Sequence, residues 1–237
     1  MASSLAQNKD ATALKQRISL IALLMIGSSV SAQSEFPPAQ VVLTQARLQQ
    51  SQQQIDLKGQ LRQDAKVVPF RLIQNGNTIR YVFANPSETL LLKLGDNGSS
   101  LSEITRSGSN DIKGSELSEK IRGTGISYED LALDFLYWPN AKVIASDSIQ
   151  TRECWRVQVS APRGKSQYGT VWLWIEKKSG TLMQLQGFNM AGQLVKRFEI
   201  VSVQKIAGRW FLKQMRVEAL DPPTGRVLSR TYLEISS

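Results

Sequence analysis

The sequence predicts a mainly β protein of the α+β class, with about eleven antiparallel strands in one strongly curved sheet and two or three inserted helices. Three observations predict it. After Ile55, short runs with period-two alternation recur, separated by Gly, Asn, Asp and Pro. Apolar residues at helical spacing are confined to Ala39–Gln54 and to a segment between Ser107 and Pro139. No block repeats and no low-complexity linker divides the chain, so residues 33–237 form a single domain. So many strands must curl, and helices laid across the open side of a curled sheet enclose a space that is either packed core or ligand cavity.

The chain opens with Lys9, Lys15 and Arg17 against a single acid, Asp10. An apolar run, residues 18–26, follows, and then small residues up to Ala32. Basic start, short apolar core and small residues predict a secretory signal, residues 1–32, cleaved after Ala32. A membrane span needs ~20 apolar residues, and this run breaks into Gly and Ser well before that. No cysteine follows the run, so the first mature residue is not a lipidated one. Cys154 is the only cysteine of the chain. An exported domain without disulfide pairs points to the periplasm of a Gram-negative-type cell.

Pro37-Pro38 ends the leader, and Ala39–Gln54 reads as a Gln-rich helix with Val42, Leu43 and Ala46 on one stripe. Strands follow at Ile55–Gln63, Val67–Gln74, Thr78–Ala84, Thr89–Leu94 and Ser100–Arg106, with Asn75-Gly76 as a hairpin signal. The meander then breaks. Ser115–Ile121 reads as a short helix, and Ser127 with Asp130 forms a capping box that opens a helix over Tyr128–Trp138. Leu131, Phe135 and Trp138 make its apolar stripe, and Pro139 stops it. Strands resume at Ala141–Ile149, Glu153–Ser160, Tyr168–Glu176, Thr181–Asn189, Gln193–Ile206, Arg209–Leu220 and Val227–Ile235.

Aromatic side chains recur on the strand faces. Trp172 and Trp174 share one face of a strand whose other face is also apolar. Trp155 alternates with Cys154 and Arg156, Tyr81 shares a face with Phe83, and Phe198 with Ile200. Pattern alone makes these positions core or ligand wall.

Several function classes are excluded. The chain has no histidine, which removes Ser-His-Asp and Cys-His catalysis and every His-bearing metal or haem site. Ser202 and Lys205 have Ser-x-x-Lys spacing, but on a strand that offset puts them on opposite faces. Glu129 and Asp130 sit where capping explains them. The chain is therefore expected to be neither an enzyme nor a binder of metal or cofactor. A net charge of +9 and a pI near 9.8 would suit nucleic acid. The positive charges are scattered and the chain is exported, so no nucleic-acid partner is expected. The basic balance suits brief contact with anionic membrane surfaces instead.

Gly123-Thr-Gly-Ile-Ser-Tyr-Glu-Asp-Leu131 resembles the Gly-Thr-x-x-Ser-Tyr-x-Asp-Leu segment of the outer-membrane lipoprotein-sorting protein family, within the LolA/LolB-like carrier superfamily. Tyr168 and the strand Val171–Glu176 are similar to that family's Trp-Ile-Asp strand, with Glu176 in place of Asp. Gly192, Lys196, Gly208–Trp210, Met215 and Thr231 fall in matching order. The resemblance implies a half-open antiparallel barrel with helices forming a lid over a hydrophobic cavity. It implies a periplasmic carrier that moves the acyl chains of lipoproteins, or related lipids, toward the outer membrane. Its partners would be the lipid cargo and transient inner- and outer-membrane components, the protein being a monomer. The alternative is a lipid-sensing regulatory module bound to an envelope signalling partner. Candidate cavity or lid residues are Tyr81, Phe83, Leu131, Phe135, Trp138, Trp155, Trp172, Trp174 and Phe198.

Overall fold

A computed structural model describes residues 36–51, 54–164, 166–206 and 208–236. The expected signal peptide lies outside the described residues. Thirteen antiparallel strands form one sheet, in the order β6-β5-β4-β3-β2-β1-β13-β12-β11-β10-β9-β8-β7. The first half is a meander: β1 (Gln54–Gln63), β2 (Lys66–Asn75), β3 (Thr78–Phe83), β4 (Glu88–Leu94), β5 (Ser99–Thr105) and β6 (Gly108–Asp111). The second half is β7 (Asn140–Ile149), β8 (Arg152–Ser160), β9 (Thr170–Glu176), β10 (Leu182–Phe188), β11 (Leu194–Ile206), β12 (Arg209–Leu220) and β13 (Val227–Ser236). The last strand closes onto the first, with Leu61 opposite Leu233, so the two meanders join at the middle of the sheet. β6 and β7 are the two ends of the strand order, and the sheet stays open.

The structure adds one strand to the runs read from the sequence. β6 lies in the segment read as a break, and all four of its residues, Gly-Ser-Asn-Asp, are exposed. Nothing apolar marks it; backbone pairing with β5 alone makes it a strand.

Helix α1 (Ala39–Ser51) buries Ala39, Val42, Leu43 and Ala46, the spacing of a single helical stripe. The helix expected over Tyr128–Trp138 is interrupted. Helix α2 (Tyr128–Ala132) ends at Leu133, which takes a left-handed conformation with φ of 54°, and a 3₁₀ turn follows at Asp134–Tyr137. The reason is geometric. Leu131, Ala132, Phe135, Leu136 and Trp138 are all buried, and so are Glu129 and Asp130, so a continuous helix here would need burial on every side and not along one stripe. The reversal at Leu133 turns the second group back onto the core. The segment Ser115–Ile121 likewise resolves into two 3₁₀ turns, Gly114–Ser118 and Ile121–Gly123.

Helices and sheet share one core, on the face carrying Leu57, Leu61, Leu90, Leu92, Leu173 and Phe198. Among the described residues no helix is long and apolar enough to cross a membrane.

Candidate functional site: the helix-bearing face of the sheet

The segment between β6 and β7 is fastened to the sheet by polar groups. Ser127 Oγ accepts from the Asp130 amide, and Asp130 Oδ2 accepts from the Ser127 amide at 2.8 Å. The same carboxylate reaches beyond its own helix. Lys196 of β11 donates to Asp130 Oδ2 at 2.6 Å, and the Tyr168 hydroxyl donates to Oδ1 at 2.6 Å. This ion pair is sealed: the side chains are 10% and 1% exposed. Gln167 donates its side-chain amide to Ser127 Oγ and its backbone amide to Glu129. Burial raises the Glu129 carboxyl above its ordinary value, and burial together with the Asp130 charge holds the Tyr168 hydroxyl neutral. A buried charge without such partners would cost several kcal/mol, so this network is obligatory once Asp130 is inside.

The glycine before the helix is fastened too. The Gly125 amide donates to Thr231 Oγ1 of β13 at 2.9 Å, and Thr231 donates to Gln63 of β1. A Cβ at Gly125 would lie 2.7 Å from Thr231 Oγ1. Gly187 of β10 meets the Tyr168 ring in the same way, at 2.4 Å. Both glycines allow close approach of a fixed partner.

Helix α1 is attached differently. Among the described residues, its links beyond the apolar stripe include Arg47 Nη1 donating to the Leu136 carbonyl at 2.9 Å, the Arg47 guanidinium 5.1 Å over the Tyr137 ring, and Gln74 Nε2 donating to the Gln50 carbonyl at 2.5 Å.

Seven of the candidate residues meet on this face. Phe83, Leu131, Phe135, Trp138 and Phe198 are buried in the shared core, with Phe135 and Trp138 edge to face at 6.4 Å. Tyr81 packs against the same core, and burial pushes its hydroxyl up to about 12. Trp155 stands nearby, half-buried, with its ring 6.1 Å from Phe36 and the Lys177 ammonium 4.1 Å from its centroid. Trp172 and Trp174 do not join them. They lie on the opposite face with Cys154 and Met183, where Arg156 stacks on both rings and Asp147 accepts from the Trp174 indole. That strand is apolar on both faces because both faces are covered. On the helix-bearing face the apolar stripe of α1 and Leu131 of α2 pack in one cluster with the sheet residues. Outside it, a cleft of about 480 Å³ lies between Lys66–Pro69, Ala84–Pro86 and Arg122. Among the described residues, no three of His, Cys, Asp or Glu are grouped to hold a metal.

The profile of a family described only as an uncharacterized protein matches residues 107–236, more than half of the chain. The chain belongs to that family. No curated protein matches the sequence. Solved structures show the fold of this chain. A DUF1329 family protein from Desulfovibrio piger superposes with a TM-score of 0.62 at 19% identity, covering 85% of this chain and 92% of its own. A LolA superfamily protein from Nitrosomonas europaea gives 0.62 at 17% identity, covering 85% and 93%. A domain assigned to an outer membrane lipoprotein-sorting protein from Vibrio parahaemolyticus gives 0.62 at 13% identity, covering 84% and 92%. The chain therefore has the LolA-like fold.

Within this LolA-like fold the resemblance motif gains a structural meaning. Gly125, Ser127 and Asp130 of the motif, with Tyr168, Lys196 and Thr231, are the residues that fasten α2 to the sheet. Sequence reading found Asp130 only as a helix cap. The missed role lies in its contacts with Lys196 of β11 and Tyr168 of the β8–β9 connection, which local spacing does not encode.

Proposed function

We propose that this protein is an exported, non-enzymatic carrier that takes up the acyl chains of lipid-modified proteins, or of related lipids, between its sheet and α1, and carries them toward the outer membrane. One observation carries the reading: an open sheet whose apolar face is covered by two unequal helices. The first, α1, is held by an apolar stripe, two side-chain hydrogen bonds and the stacking of Arg47 on Tyr137; the second is pinned by a buried ion pair. In this reading α1 is the lid and α2 belongs to the wall. The likeness to a LolA superfamily protein and to a lipoprotein-sorting domain supports the choice of cargo.

Magnitudes favour the exchange. Burial is worth ~0.8 kcal/mol per CH₂, so lifting Val42, Leu43 and two alanines off the core costs roughly 7 kcal/mol, and a palmitoyl-length chain taking their place returns roughly 12. The difference is small enough to allow release at a membrane. Glu129 and Asp130, the acids most suggestive of chemistry, are committed to Gln167, Ser127, Tyr168 and Lys196.

The test is native mass spectrometry of protein purified without detergent. A bound mass with the fragmentation pattern of an acyl lipid or lipopeptide is expected. Protein that stays ligand-free after incubation with such lipids would overturn the reading.

A further inference from the structure

Strands β11 and β12 are longer than their neighbours. Pairing of β10 with β11 stops at Glu199, and pairing of β12 with β13 begins at Gln214. Among the described residues, 200–213 thus form a two-stranded ribbon that runs past both neighbouring strands, with Lys205 opposite Trp210 and Ile206 opposite Arg209.

The two faces of the ribbon differ. One leans on the body of the protein: Phe211 is buried, Ile206 packs against the core, and Gln204 Nε2 donates to the Ile235 carbonyl at 2.9 Å. The other faces outward, with Val201 40%, Val203 39% and Trp210 62% exposed. Lys205 stands over the Trp210 ring, its ammonium 6.0 Å from the centroid. Over residues 200–213 the sequence holds Lys205, Arg209 and Lys213 and no acidic residue, while Arg216 just beyond pairs with Glu199. The β9–β10 turn, at the same end of the sheet, adds Lys177 and Lys178.

We propose that this ribbon docks the protein on an anionic lipid bilayer, with Trp210 and Val203 entering the headgroup region, Lys205 beside them facing lipid phosphates and Lys213 adding to the charge near the surface. Trp favours that depth because its ring is apolar at one end and donates at the other, and lysine stems lie along apolar surface while the ammonium stays wet. The charge complements an anionic leaflet. Size argues against a protein partner: a strip of three apolar side chains falls well short of the ~1,000 Å² a specific protein interface needs. A single aromatic anchor with several cations is enough for reversible membrane contact. The proposal stands on the ribbon alone, whatever the interior carries.

Flotation of the full chain with phosphatidylcholine vesicles, with and without about one-third phosphatidylglycerol, tests it. We expect clear binding only to the anionic vesicles. K205Q/K213Q should weaken it roughly 25-fold, at about fivefold per charge, and leave the melting temperature unchanged. Brominated acyl chains in the same vesicles should quench the wild-type fluorescence, and Trp210→Phe should lose most of that quenching. Equal binding to both vesicle types, unaltered binding by K205Q/K213Q, or no quenching of the wild-type protein would each overturn the proposal. A ribbon made for a protein partner would give the last result.

Discussion

Asp130 shows how one side chain can hold a segment that propensity leaves free. Its carboxylate caps α2, and it is also the acceptor for Lys196 and Tyr168 from two distant elements. Removing one partner of such a pair leaves an uncompensated buried charge, which costs about 3–5 kcal/mol. Lys196→Met should therefore lower the urea midpoint by that equivalent. Adding Asp130→Asn to it should recover part of the loss, because the orphaned charge is gone. Equal stabilities for Lys196→Met and wild type would show that Asp130 is satisfied by Ser127 and Tyr168 alone.

At the scale of the element, the pairing of β1 with β13 decides whether the two meanders act as one sheet. Glu234 on β13 accepts from Arg62 and Gln60 of β1 and from Gln214 of β12. The Arg62 hydrogen bond, aided by the two amides, lowers its carboxyl from 4.5 to about 2 against the cost of burial. A carboxyl depressed by folding stabilises the fold above its unfolded value, and that contribution drains away as pH falls through the folded one. The contribution of this seam should be complete above about pH 5 and fall steadily between about pH 4.5 and pH 2. Glu234→Gln should flatten this part of the stability profile, as read by thermal melting across that range. A variant with the wild-type acid limb would place the titrating group elsewhere. The β11–β12 ribbon is the other element with a role of its own, since its length beyond β10 and β13 follows from pairing and not from composition.

For the whole molecule, the question is which helix can leave the apolar face. A Cβ built at Gly180, in the β9–β10 turn, would lie 3.2 Å from the Gln45 Cβ of α1 and 3.0 Å from its carbonyl, at a φ of 73°. A bridge of the usual spacing of about 3.5–4.5 Å therefore forms only with a shift of a few tenths of an ångström, and the reduced variant is the reference for its effect. In the variant Gln45→Cys/Gly180→Cys, oxidation should lock α1 to the sheet. We expect affinity for a fluorescent acyl probe to drop at least about tenfold in the oxidised form and to return on reduction. Equal probe affinity in both redox states would mean that the acyl chain enters by another route. Phe135, 1% exposed behind the fixed α2, lies in the wall in this account.

The sequence by itself determined the strand runs, the turns between them, the stripe of α1 and the capping box of α2. Each of these is written in spacings of two, three or four residues, which local sterics and burial read directly. It also determined the exclusion of histidine chemistry, because composition does not depend on folding. Tertiary structure decided the rest. It added β6, a strand made by its neighbour, and broke the helix at Leu133 in a segment whose polar as well as apolar side chains are buried. It assigned Trp172 and Trp174 to the opposite face from Trp155, because a strand apolar on both sides gives no sign of which side the helices cover. And it joined Asp130 to Lys196, 66 positions apart, since a buried charge finds its partner through the packing of whole elements and not along the chain.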